Sequence, residues 1–359
     1  MLRMNWHDCF YRPAEVVADR LKLGGTWVDD AGESLDFGAP IGSVPVEALR
    51  EAVERFSALM QKNCTAQLAF YVFMTTRQSQ SLNGYYPLVN ALDDAGRKAF
   101  FALAQKIMVH PGFDLRLLDE RRANIASQLP EVAYFVAGHI AEIFFCRPDI
   151  LERLLTATCR VWLYTSPQAF QNDGGVAGGS FNGAKGCVQL VLSRLYEGFY
   201  APTPGVAPFL HEFGHLLDFL DAGRGIIDKS SGLLPGMRDT DGAVYKREAR
   251  DLFLKGKRAE LERYLRLYKG APPADPLPIG HPYVFQNDTE FVAGYFEVFF
   301  RNPHYFAAQN PHLYQAFALT FGQDPRQYWV TDFLYYIQQN RGFYLNTQRP
   351  AKPGLALPL

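Results

Sequence analysis

An apolar helix that has to carry four ionisable side chains constrains this chain more than any other feature. Residues 208–220 read PFLHEFGHLLDFL. Phe209, Leu210, Phe213, Leu216, Leu217, Phe219 and Leu220 recur at helical spacing and mark a helix made for a core, and His211, Glu212, His215 and Asp218 ride on it. Positions i and i+4 of a helix share a face, so both imidazoles can reach one metal ion. Glu212 then stands beside the ion rather than on it, where a carboxylate can take a proton from water attacking a carbonyl.

A catalytic zinc site needs a third protein ligand and one open position. The segment TEFVAGYFEVFF (289–300) is almost wholly apolar apart from Glu290 and Glu297, which lie seven residues apart, on one helical face. A carboxylate on a core-facing stripe is costly unless it is paired or binds metal. Glu290 therefore reads as the third ligand, with a capping box from Asn287 as its other reading. Glu297 reads equally as an acceptor for a ligand histidine or as an i+4 partner of Arg301. Asp218, three residues after His215, is placed to accept the free N–H of a ligand imidazole, or is a polar residue near the helix end. Tyr283, seven residues before Glu290, is placed to donate to the oxyanion of a tetrahedral intermediate, although spacing alone leaves it one of 19 tyrosines. His281, just before Pro282, reads as a loop residue.

Composition narrows the class. Against 37 Asp+Glu, 36 Lys+Arg leave no basic surplus, which argues against a nucleic-acid partner. The five cysteines, at 9, 64, 146, 159 and 187, are odd in number and form no Cys-x-x-Cys pair, so neither a disulfide framework nor a thiolate zinc ribbon is expected. No uncharged apolar stretch reaches the roughly 18 residues of a membrane span, and the N-terminus lacks the apolar core of a signal peptide. The expected address is cytoplasmic, with no membrane contact.

Helical patterns are expected over residues 13–23, 46–60, 94–107, 118–145 (bent at Pro130), 204–222, 246–269, 289–301, 311–321 and 326–340. Strands are expected at 160–165 and 187–192, with the Gly-rich stretch 174–183 as a flap between them. The nine Lys/Arg against four acids in 246–269 read as a solvated helical face. Helices on both sides of a small strand region predict an α+β protein.

The motifs HEFGHLLD (211–218) and YVFQNDTEFVAGYFEVFFRNP (283–303) resemble the Mlc titration factor A family of zinc peptidases, itself related to the catalytic domain of anthrax lethal factor. RVWLYTSPQAF (160–170), GCVQLVLSRLYEGF (186–199) and DLRLLDERRANIASQL (114–129, similar to an early helix of the family) extend the resemblance over about residues 83–342. It implies a zincin-like metallopeptidase fold: a small mixed β-sheet, an active-site helix and a mostly helical C-terminal half. It also implies one zinc ion per chain on His211, His215 and Glu290, Glu212 as general base, and Tyr283 as oxyanion stabiliser. On this reading a peptide or protein substrate lies along an edge strand at Cys187, Val188, Gln189 and Leu190. The expected organisation is an N-terminal extension (1–82), a peptidase domain (83–345) and a C-terminal tail (346–359). The resemblance opens a second reading too: a regulatory protein that sequesters a partner such as a transcriptional repressor, with the zinc site secondary.

Overall fold

A computed structural model describes residues 26–28, 34–36, 86–118, 130–175, 179–195, 207–329, 332–346 and 350–356. The helices expected over 13–23 and 46–60 lie outside these residues, as does most of the N-terminal extension. Thr26–Val28 (β1) and Ser34–Asp36 (β2) form an antiparallel pair.

The architecture is mixed and mostly helical around one small sheet. Pro87–Ala91 (α1) and Asp94–Met108 (α2) lead into Phe113–Leu117 (β3). Pro130–Phe144 (α3) and Pro148–Thr156 (α4) return the chain to Cys159–Tyr164 (β4). After Pro167–Asn172 (α5) come Gly179–Asn182 (β5) and Cys187–Val191 (β6), which runs into Leu192–Leu195 (α6). The sheet order is β3-β4-β6-β5: β3, β4 and β6 run parallel, and β5 is antiparallel to β6.

Three expectations are corrected here. Residues 114–117, read as the start of a helical segment, are strand, because Phe113, Leu115 and Leu117 alternate inward with a period of two. The Gly-rich stretch expected to be a flap contains β5, whose backbone pairs with β6 from Gly179↔Leu190 to Asn182↔Cys187. Most consequential, Cys187, Val188, Gln189 and Leu190 are not an edge: β6 is paired on both sides and all four residues are buried. The outer position next to β6 belongs to β5, which among the described residues has no strand beyond it; β3 ends the sheet on the other side.

Pro208–Phe219 (α7) follows, with Pro208 in its first turn, where a missing N–H leaves no bond unmade. Leu220–Asp221 (β7) and Ile226–Ile227 (β8) pair antiparallel just beyond it. Arg247–Tyr268 (α8) is one helix. Its charge is not wholly solvated, because Lys257 and Glu260 are buried. Asp288–Arg301 (α9) is capped by Asn287, whose side-chain oxygen accepts from Glu290 N at 2.9 Å. Pro303–Gln309 (α10), Pro311–Phe321 (α11) and Leu334–Asn346 (α12) complete the chain, the last beginning eight residues later than periodicity predicts. No helix among the described residues is long and apolar enough to cross a membrane.

Helices α7 and α9 pack face to face in the core. Every residue of α9 from Phe291 to Arg301 is buried, including Glu297. Its four phenylalanines contribute roughly 1.5–3 kcal/mol each on burial, enough to outweigh the several kcal/mol that desolvating one carboxylate takes. The contact is closest at Gly214, where a Cβ would lie 2.8 Å from Ala293 Cα and 3.3 Å from Ala293 O. Backbone meets backbone there, so no side chain can yield. In Gly214→Ala, over-packing of about 1–3 kcal/mol opposes a helix-propensity gain of about 1 kcal/mol. The expected outcome is a net loss of up to about 2 kcal/mol in urea unfolding; a gain in stability would show that the two helices part freely.

Candidate metal centre

Three donor atoms converge between α7 and α9. Glu290 Oε2 lies 3.1 Å from His211 Nε2 and 3.4 Å from His215 Nε2. The ligand atoms of His211, His215 and Glu290 all fall within 4.8 Å of one another. Helical spacing sets the two imidazoles edge to face, with ring centroids 4.9 Å apart and planes 84° apart, and the α7–α9 contact brings the carboxylate across to them. Two imidazole nitrogens and one carboxylate oxygen fit a divalent transition metal, zinc among them. The two sequence readings of Glu290 turn out to be compatible: its backbone N–H is capped by Asn287 while its carboxylate faces the histidines.

Glu297 sides with His211. One carboxylate oxygen accepts from Ala207 N at 2.6 Å, at the start of α7, and the other lies 3.5 Å from His211 Nδ1. A negative charge at that helix N-terminus is also favoured by the helix dipole. Asp218 departs from expectation. Its buried carboxylate accepts from Ser231 N at 3.0 Å, Gly232 N at 2.7 Å and the hydroxyls of Ser230 and Thr289, and not from a ligand imidazole. It sits one residue before the end of α7, where the chain folds back at 230–233 and delivers backbone N–H groups to it.

Tyr283 stands in a short 3-10 turn, Pro282–Phe285, that precedes α9. Its hydroxyl donates to Glu290 Oε1 at 2.9 Å, and the side chain stays substantially exposed. His281, read as a loop residue, holds this turn: its Nδ1 accepts from Tyr283 N at 3.1 Å. Upstream, buried Glu260 accepts from Ile279 N at 2.9 Å, and Tyr344 donates to Gly280 O at 2.7 Å, so the approach to Tyr283 is pinned from α8 and α12.

Glu212 faces β5. Burial pushes its carboxyl above the ordinary carboxylate value, and so does Glu290, while both histidines and the backbone N–H of Phe181 work the other way. Phe181 itself was not singled out by sequence; its ring stacks near His215 (centroids 6.4 Å, 26° between planes) and packs on Phe219 at 4.8 Å. Nothing in a Gly-rich stretch announces such a role, because it depends on strand register. Cys187 is a buried thiol pushed up to about 12 by burial, the reverse of an activated ligand sulfur.

Two helix-borne histidines and a glutamate crossing from a neighbouring helix form a group that could hold a metal ion, with Glu212 next to His211 in sequence. Residues 165–322, which hold all of these groups, match the family model of the glucose-regulated metallo-peptidase M90, the family that the HEFGHLLD motif resembles. The family is one of metallopeptidases, which act on peptide or protein substrates and carry a catalytic metal. No curated protein matches the chain.

Without metal the site stores a pH-dependent interaction. Burial lowers the pKa of His211, but hydrogen bonds to Glu290 and Glu297 more than offset it and raise the group to about 10. For Glu290 burial acts upward, and the two imidazoles hold it well below the usual carboxylate range. A raised histidine stabilises fully below its unfolded value of about 6.5 and loses that contribution as pH climbs toward 10. A depressed carboxylate stabilises above its unfolded value and loses that contribution as pH falls. Chelator-treated protein is therefore expected to lose thermal stability between about pH 6.5 and 10, and Glu290→Gln to flatten that slope. Metal affinity is expected to rise over the same window, since the ion displaces a proton from His211; titration with a competing chromophoric chelator at several pH values checks it.

Proposed function

We propose that this protein is a zinc-dependent peptidase with a zincin-like catalytic unit spanning about residues 83–345 and one zinc ion per chain. The observation that carries the reading is the meeting of five groups from three elements: His211, Glu212 and His215 on α7, Glu290 on α9, and Tyr283 on the turn before α9. A zinc ion on His211, His215 and Glu290 supplies Lewis acidity to the scissile carbonyl and makes nearby water easier to deprotonate.

The chain's own groups do the rest. Glu212 takes a proton from the attacking water as its oxygen bonds to the carbonyl carbon. Its raised pKa, caused first by burial, brings proton uptake and release closer together in energy than for an exposed glutamate. Tyr283 donates its hydroxyl to the developing oxyanion; as a neutral phenol with its pKa pushed up to about 12 by burial and Glu290, it remains a donor at neutral pH. When the carbon–nitrogen bond breaks, Glu212 returns the proton to the leaving amine.

The substrate track is the outer edge of β5, not β6. Gly179 lies close to Glu212, where an added Cβ would be 3.6 Å from Glu212 Oε1, so a peptide pairing with that edge by main-chain hydrogen bonds passes beside the general base. A regulatory binder with a secondary metal site, the other reading of the sequence, requires none of this convergence.

Glu212→Gln is expected to bind zinc stoichiometrically and to lose about 10²-fold or more in peptide hydrolysis, read by mass spectrometry on a peptide library. Wild-type turnover in that variant would sink the mechanism. Tyr283→Phe is expected to lower kcat by about 10²–10³ with zinc affinity little changed.

A further inference from the structure

We propose that Asp218 is a positioning residue for the metal-binding carboxylate of Glu290 and acts through the hydroxyl of Thr289. The inference rests on the reading of His211, His215 and Glu290 as the metal ligands, and assigns a task to two residues that touch neither metal nor substrate.

Asp218 is wholly buried at the end of α7, the helix that carries both histidines. Its Oδ1 accepts from Ser231 N at 3.0 Å, Gly232 N at 2.7 Å and Leu233 N at 3.3 Å; its Oδ2 accepts from Ser230 Oγ at 2.5 Å and from Thr289 Oγ1. A carboxylate offers about four lone-pair sites, so this one is saturated and has no freedom to reorient. Arg238 closes the arrangement by donating to the backbone carbonyls of Asp218 and Leu220 and to Ser231 Oγ at 2.7 Å. The loop at 230–233 is thus fixed to the end of α7.

Thr289 links this fixed point to the metal centre. It is the residue before Glu290, in the first turn of α9, and its hydroxyl also lies 2.9 Å from Ser230 Oγ. Helix first turns lack intrahelical partners for their N–H groups and are the easiest part of a helix to displace. Here the neighbouring residue is tied down as well: buried Lys257 Nζ donates to Asp288 Oδ1 at 2.7 Å, and Ala356 N reaches the same oxygen at 3.1 Å. Asp288 is held from α8 and the C-terminal segment, Thr289 from α7, and Glu290 N from Asn287. A ligand carboxylate has to be held to within about 0.5 Å of its productive position. The Asp218–Thr289 bond references it to the helix that carries the other two ligands.

The test compares Thr289→Val, which keeps the size and removes the donor, with Thr289→Ser, which keeps the donor. The Zn2+ dissociation constant is measured by chelator competition, the visible spectrum after loading with Co2+, and the cooperativity of urea unfolding without metal. Thr289→Val is expected to bind Zn2+ about 10–100-fold more weakly and to alter the Co2+ spectrum, with cooperative unfolding retained, while Thr289→Ser stays within about threefold of wild type. Wild-type Zn2+ affinity and an unchanged Co2+ spectrum in a folded Thr289→Val would overturn the proposal and leave the pair a structural clamp. Should Thr289→Val not fold, Thr289→Ala takes its place with the same expectations. Glu290→Gln separates the two readings: if it binds Zn2+ as tightly as wild type, the metal centre itself is misassigned and this inference falls with it.

Discussion

The approach of α7 to α9 at Gly214 and Ala293 is the constraint on which the other distances depend. With backbone against backbone, the two helices come near enough for a carboxylate on one to reach imidazoles on the other. The apolar faces supply the driving force: Phe213 and Phe296 meet across the seam, with Phe144 and Phe321 behind them. The same burial that holds the helices together raises the energetic stakes for every ionisable group between them. Each such group has accordingly been given a partner.

Those partners form a hierarchy. Glu290 faces the histidines directly, and Glu297 orients His211 while capping the start of its helix. Farther out, Asp218 and Glu260 are saturated buried carboxylates that touch no metal donor. One fixes the loop beyond α7, the other the strand of chain leading to Tyr283. A half-satisfied polar network in a core is worse than none: Asp218 accepts from three backbone N–H groups, and Glu260 from Ile279 N and the side chains of Arg263, Tyr295 and Asn310. They convert a hydrophobic packing arrangement, tolerant of small shifts, into one that holds a site to fractions of an ångström.

The sheet contributes a different element. Its central strand β6 is buried throughout, and the antiparallel β5 forms the edge on the side of Glu212 and His215. Edge strands with unpaired backbone groups are hazards for aggregation unless short or used. This one is four residues long and borders the candidate metal centre.

The sequence by itself determined the local chemistry. The 3.6-residue period put His211 and His215 on one face, the apolar run announced a buried helix, and Glu290 and Glu297 stood out as charges that such a core has to accommodate. It also marked α9 and α11 closely, because long periodic helices carry their signal in every turn. Only the tertiary structure decided what depends on contacts between distant segments. Strand order made β5 rather than β6 the edge, since a buried central strand and a buried edge-adjacent strand read alike in sequence. The return of the chain at 230–233 gave Asp218 to a loop and to Thr289 rather than to an imidazole. Thr289 and Phe181 carried no signal of their own: one is a polar residue in a capping turn, the other an aromatic in a Gly-rich strand, and each acquires its role from what the fold brings beside it.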